Sequence, residues 1–285
     1  MTPANKNQKP DPAVQLKQLR EEFAAAALVA QQRLATVDAA LAALEKNKKE
    51  DEAREKARYR DRIALKAEFV KGLLTHEKKP HAFAVFVDHT GSMTQKPFYA
   101  ALDGAAVLKT AANAEVSLWG SAPQVRSASG DICDPATREG FEKKGASSDF
   151  RPVADEMIKT AALNKANGKP THFVVISDGE FADYPKAKEQ LEKLMKSASR
   201  ATIDFVILGR AGTGMEFLSE NLAKDFPNKV KHHLVNGPAY WQGTEGDLSK
   251  AVQETVTKVA EERLKPQPRQ KPKAQPSKGT ATPQP

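Results

Sequence analysis

Five short apolar runs constrain this chain more than any other feature: Ala82 to Val87, Val116 to Trp119, Phe173 to Ile176, Ile203 to Leu208 and Lys231 to Val235. Short runs of this kind separated by amphipathic helical stretches imply strands buried beneath helices on both faces, and hence a parallel sheet. Helices fit at Phe98 to Ala111, Pro152 to Leu163, Lys186 to Ala198, Gly214 to Lys224 and Gly246 to Leu264. A hairpin strand around Gln124 to Ser127 extends the sheet. The expectation is an α/β domain over residues 80–264, with a doubly wound, mostly parallel sheet.

The N-terminal region has a different texture. Between Pro12 and Gly72 there is neither glycine nor proline, and Ala, Leu, Glu, Lys and Arg dominate. These are the strongest helix formers, so residues 12–78 are expected to form one long helix or a helical hairpin. Leu16, Leu19 and Phe23, then Leu34, Val37, Leu41 and Leu44, repeat at three and four residues. That heptad-like stripe needs a cover, so the segment is expected to act as a coiled coil that self-associates or clasps a partner helix. From Glu45 to Arg62, six acids and eight bases leave little to bury. Apolar spacing returns at Ile63, Leu65, Phe69, Val70, Leu73 and Leu74, where the helix is expected to dock on the α/β domain. Residues 1–11 and the tail 265–285, which holds six prolines, five bases and no acid, are expected to be disordered.

Charge narrows the function classes once it is divided along the chain. The net +8 splits into 17 bases against 12 acids for residues 1–79, 22 against 24 for 80–264, and 5 against 0 for 265–285. The basicity lies in the flanks, so the α/β domain lacks the charge balance of a phosphate-backbone reader, and nucleic acid is expected to bind only weakly through the tail. No run of eighteen apolar residues occurs, and Phe23 to Ala30 lacks the cationic leader of a signal peptide. Cys133, the single cysteine, can make neither an internal disulfide nor a multi-cysteine zinc site. These features predict a soluble, cytoplasmic protein.

In doubly wound sheets ligands bind beyond the carboxyl ends of the strands. Three polar clusters fall there: Asp88-His89-Thr90-Gly91-Ser92-Met93 after the first run, Gly145-Ala146-Ser147-Ser148-Asp149-Phe150 before a helix, and Ser177-Asp178-Gly179-Glu180 after the third run. Together they gather strand-end carboxylates and hydroxyls, and each contains a glycine that permits a tight turn. Oxygen-only donors suit Mg2+ or Mn2+ better than zinc.

At these residues the chain resembles von Willebrand factor type A (vWA) domains, a Rossmann-type family. Asp88-His89-Thr90-Gly91-Ser92-Met93 is similar to the Asp-x-Ser-x-Ser signature of their metal-ion-dependent adhesion site. Ser148-Asp149 and Asp178-Gly179 resemble the later Thr-Asp and Asp-Gly motifs, in the same order. The resemblance covers about the middle two thirds of the chain. It implies a metal held by Asp88, Thr90, Ser92, Ser148 and Asp178, with the hydroxyls in direct contact and the two aspartates acting mostly through water. Thr90 and Ser148 stand where the family has Ser and Thr, which keeps a hydroxyl at each place. Ala146-Ser147 replaces a glycine pair, which leaves Ser147 and Ser148 as alternatives for the third hydroxyl.

The function this implies is a metal-dependent protein-binding module whose ion is completed by an Asp or Glu of a partner. Intracellular bacterial members of the family often work beside AAA+ ATPases or in multi-protein assemblies. A metal-dependent phosphatase is the competing enzyme reading. However, Thr90 occupies the place where haloacid-dehalogenase phosphatases need a second Asp, no Gly-x-x-x-x-Gly-Lys-[Ser/Thr] loop occurs, and no nucleophile, base and orienter set assembles. Asp149, His89 and Glu180 read as helix-start and exposed loop residues, and Trp119, Tyr240 and Trp241 as packing. Neighbouring His232 and His233 point to opposite faces of a strand and are not expected to share a metal.

Overall fold

The computed structural model describes residues 11–77, 80–121, 124–141, 149–181, 183–209, 211–235 and 245–265. The expected disorder of residues 1–11 and 265–285 falls outside the described residues except at Asp11 and Lys265, which are placed; the packing of Tyr240 and Trp241 lies outside them, as does Ser148. The chain divides into two compact units, Met1–Tyr59 and Arg60–Pro285.

Helix α1, Pro12–Thr75, is one continuous helix of 64 residues, which resolves the choice between helix and hairpin. Asp11 starts it: its side chain accepts from the Ala13 N–H at 2.9 Å, its carbonyl accepts from Val14 and Gln15, and Pro12 follows with φ already set for the first turn. In the first unit every residue from Asp11 to Asp51 is exposed, the apolar stripe included. Along this surface the charges pair with one another, as in Lys46–Glu50 at 4.0 Å and Asp51–Arg54 at 3.9 Å. Such exposed pairs contribute only tenths of a kcal/mol each.

The second unit begins within α1. Ile63, Ala67 and Val70 are buried at helical spacing, and Lys66 on the same stretch reaches Glu254 at 4.0 Å. Leu65 and Phe69, expected to dock here, instead point away and are 74% and 49% exposed. A helix offers one stripe to a neighbour, and these two residues sit off the stripe that Ile63, Ala67 and Val70 define.

The sheet has six strands: β1 (Ala82–Asp88), β2 (Glu115–Ser121), β3 (Gln124–Ser127), β4 (Thr171–Ser177), β5 (Ala201–Leu208) and β6 (Val230–Val235). Their spatial order is β3-β2-β1-β4-β5-β6, parallel except for β3, which pairs antiparallel with β2 as the hairpin reading anticipated. The helices are α2 (Gln95–Ala112), α3 (Pro135–Glu139), α4 (Arg151–Ala166), α5 (Tyr184–Ser197), α6 (Gly214–Asp225) and α7 (Glu245–Leu264). Helices α2 and α7 pack together, while the residues of α4, α5 and α6 that meet the sheet cluster around Phe86, Phe173 and Phe205. Short α3 was not anticipated from sequence. The Asp134 carboxylate accepts from the Thr137 N–H at 3.1 Å, and Arg138 forms a buried ion pair with Asp103 of α2.

Two polar networks lie inside this unit. Asp204 of β5 and Arg263 of α7 are each almost fully buried and joined at 2.7 Å, and His233 approaches the same carboxylate at 3.1 Å. His172 of β4 lies 2.7 Å from His81 and 2.9 Å from the Thr202 hydroxyl, and burial pushes its pKa down to about 3.

Candidate metal centre

Connections diverge at β1: the chain leaves it for β2 on one side and later returns to β4 on the other. Val87 pairs with Ile176, so the next residues, Asp88 and Ser177, end neighbouring strands together at this switch point. Asp88 is fully buried there. One of its oxygens accepts from the Thr90 N–H at 2.8 Å and the other from the Ser177 hydroxyl at 2.6 Å. Ser177 in turn accepts from the Gly179 N–H at 2.9 Å.

The hydroxyls of Thr90 and Ser92 lie 2.8 Å apart, and Ser92 hydrogen-bonds the Asp178 carboxylate. Asp178 is half-buried, and its Oδ1 accepts from the Glu180 N–H at 3.2 Å. Asp88, Thr90, Ser92 and Asp178 therefore form one connected group. Ser148, the remaining sequence candidate, is outside the described residues, as is its alternative Ser147.

Backbone geometry holds the group in place. Gly179 has φ +89°, and a Cβ there would lie 2.3 Å from the Thr213 Oγ1. Only glycine lets the Asp178 loop press against the start of α6, where Met215 N–H also donates to the Gly179 carbonyl at 3.1 Å. Gly120, with φ +115°, plays the same part at the end of β2, since a Cβ there would sit 2.6 Å from the Thr90 methyl.

The electrostatics of the group follow from burial. Asp88 is pushed up to about 7, chiefly by desolvation; the hydrogen bonds from Ser177 and Thr90 oppose the shift and the Asp178 charge adds to it. Asp178 is also raised by burial, partly offset by Ser92. Two carboxylates that resist ionisation side by side are stabilised in their charged form by a cation between them. The donor set, all oxygen and part hydroxyl, fits a hard divalent ion.

Several flanking residues are positioned differently from expectation. His89 is buried, not an exposed loop residue: its Nε2 lies 2.7 Å from the Phe141 carbonyl and its ring packs on Phe98. The imidazole thereby ties the Asp88 loop to the segment that precedes residues 142–148. Asp149 does open a helix, accepting from the Arg151 N–H at 2.9 Å and pairing with its guanidinium, which holds the Asp149 pKa below the usual carboxylate range. Glu180 is exposed and Trp119 is buried edge-on against Phe150, as the sequence led one to expect. Ser177 was not singled out from sequence, although it stands immediately before Asp178 at the strand end. Cys133 is a half-buried loop thiol whose pKa burial raises to about 11.

A second group of possible donors was also missed. Glu216 and Glu220 of α6 and His232 of β6 bring ligand atoms within 4.8 Å of one another. Their one sequence signal is the four-residue spacing of the two glutamates. His233 faces the other way, toward Asp204, as strand alternation requires.

No protein-family model matches this chain, and no curated protein sequence does. Solved structures similar to it include the proximal thread matrix protein 1 of the mussel byssus, with 12% identity, 62% of this chain and 47% of that one covered, and a TM-score of 0.43. The manganese-loaded TRAP protein of Plasmodium vivax is 13% identical over 61% of this chain and 74% of its own, with a TM-score of 0.39. The PilB minor pilin of Streptococcus sanguinis, as its D319A mutant, is 10% identical over 66% and 63%, with a TM-score of 0.41. The chain thus spans about half the length of the first of these. Among the described residues no helix is long and apolar enough to cross a membrane.

Proposed function

We propose that residues 80–264 form a vWA-type domain that holds Mg2+ or Mn2+ and uses it to bind an acidic residue of a protein partner. The observation that carries this reading is the connected group of Asp88, Thr90, Ser92 and Asp178 at the switch point, with both carboxylates raised by burial. Thr90 and Ser92, with Ser148, would hold the ion through their hydroxyls, and Asp88 and Asp178 would act mostly through water. A divalent ion held this way offers an electrophilic position to an incoming carboxylate. The chain's own part is to orient hydroxyls. Ser177 and the Thr90 N–H fix the Asp88 carboxylate, and Gly179 lets the Asp178 loop close against α6.

The module is read as a binder rather than an enzyme because the other carboxylates nearby have other work: Asp149 is paired with Arg151, and Glu180 is exposed. The first unit is read as a coiled-coil stem, and the assembly as a cytoplasmic one in which an AAA+ ATPase is a candidate partner. Titration calorimetry with Mn2+ tests the site. One binding event is expected, lost in Ser92→Ala and in Asp88→Ala after parental unfolding in EDTA has been verified. The rival location is the Glu216, Glu220 and His232 group. Binding that survives Asp88→Ala but not Glu220→Ala would move the metal there and overturn the proposal.

A further inference from the structure

The exposed stripe on the first 40 residues of α1 has an internal symmetry that points to its cover. In a heptad frame the d positions recur every seventh residue from Leu16 to Leu44, and the a positions from Ala13 to Leu41. Small residues, Ala27 and Ala30, occupy the middle of the seam, with large apolar residues on either side. All of these positions are exposed.

Reversing a second copy against the first about the Ala27/Ala30 centre matches residues of like size in three of the five layers. Leu16 then layers with Leu41, Phe23 with Leu34, and Ala27 with Ala30, so that bulky layers flank a thin middle where the helices approach closely. Charge discriminates between the orientations. Along the edge of e positions, Lys17 at one end would face the end carrying Asp38 and Glu45 of the other copy. Arg20, the single charge within the seam between Ala13 and Leu44, would layer with Val37 and reach the neighbouring Asp38. In a parallel, in-register pair Arg20 would instead oppose Arg20, a like-charge contact across the seam. A surface complementary to its own reversal suits a two-fold interface with its axis across the helices.

We infer that residues 13–44 form an antiparallel two-stranded coiled coil with a second copy of this chain. It rests on the stem reading of the first unit and not on the metal reading. Each chain of the dimer brings one copy of the second unit, which begins at Arg60. Two binding domains on one stem would engage a multivalent partner by avidity.

The test uses the full chain in EDTA, which separates the outcome from metal binding. Light scattering over a wide dilution series should give twice the 31.0 kDa chain mass. Leu34→Glu should weaken the dimer by about a hundredfold or more while leaving the calorimetric transition of the second unit in place. Orientation is read in a Cys133→Ser background with diamide as oxidant. A mixture of Leu16→Cys and Leu41→Cys chains, one carrying a longer tag, should give the mixed disulfide, and Leu16→Cys alone should give little. A monomer would overturn this inference and leave the stem to clasp a helix of a different protein. A disulfide in Leu16→Cys alone, or a trimer or larger species, would overturn this inference and leave the stem reading standing.

Discussion

Gly179→Ala isolates the part of the candidate site that depends most directly on backbone shape. Two effects add at this position. A side chain at φ +89° is strained by about 1–2 kcal/mol. Its Cβ would also meet Thr213 at 2.3 Å, so Thr213, the N-cap that accepts from the Glu216 N–H at 3.4 Å, must move. Overpacking of this kind costs about 1–3 kcal/mol, and a weakened cap about 1 kcal/mol more. The expected loss is about 3–6 kcal/mol. For a domain of this size that is a Tm lower by roughly 10 °C in calorimetry. Gly168→Ala is the control, because Gly168 has φ +67° but open space where the Cβ would go. It should show only the strain, about 1–2 kcal/mol and a few degrees. Gly179→Ala should also weaken Mn2+ binding, since the displaced loop carries Asp178, whereas Gly168→Ala should not. If both variants melt together, the close approach to Thr213 is not what demands glycine and the reasoning fails.

Three further outcomes are expected. Arg263→Leu strands the buried Asp204 without the guanidinium that pairs it and should cost about 3–5 kcal/mol in urea unfolding, much of it restored by adding Asp204→Leu; equal stability of the two variants would refute the pairing argument. Ser177→Ala should destabilise by about 1–3 kcal/mol and shift metal binding to higher pH, because the Ser177 hydrogen bond is the largest of those that oppose the rise of the Asp88 pKa on burial; an unchanged pH profile would remove Ser177 from the site. The pH dependence of stability in EDTA should show two opposing contributions. The depressed pKa of His172, about 3 in the fold against an ordinary 6.5, supports stability above pH 6.5 and loses it as pH falls toward 3. The raised pKa of Asp88, about 7 against 3.8, supports stability below pH 3.8 and loses it as pH rises through 7. His172→Gln should therefore remove a slope of at most about 1.4 kcal/mol per pH unit between pH 6.5 and 5, seen as the difference between variant and parent in chemical denaturation. Parallel profiles would contradict the buried neutral imidazole.

Much of the architecture was written in local pattern. Near-continuous apolar runs marked β1, β2, β4 and β5, the Lys231 to Val235 stretch marked β6, and the turn-bounded Gln124–Ser127 marked the hairpin, because strand burial and helix amphipathicity are periodicities that any chain displays along itself. The absence of glycine and proline likewise announced α1, and polar residues directly after apolar strands placed Asp88 and Asp178 where connections diverge. Tertiary structure decided what depends on partners distant in sequence. His89 is interior because a carbonyl and a ring from other elements enclose it, and Ser177 matters because β1 happens to lie beside β4. Leu65 and Phe69 are apolar yet exposed, since which stripe of a helix meets a neighbour is set by the neighbour. The His81–His172 contact, the Asp204–Arg263 pair and the grouping of Glu216, Glu220 and His232 each join residues that are separate along the chain. Period and propensity act over a few residues, whereas burial and pKa are set by whatever the fold packs into the same few ångströms.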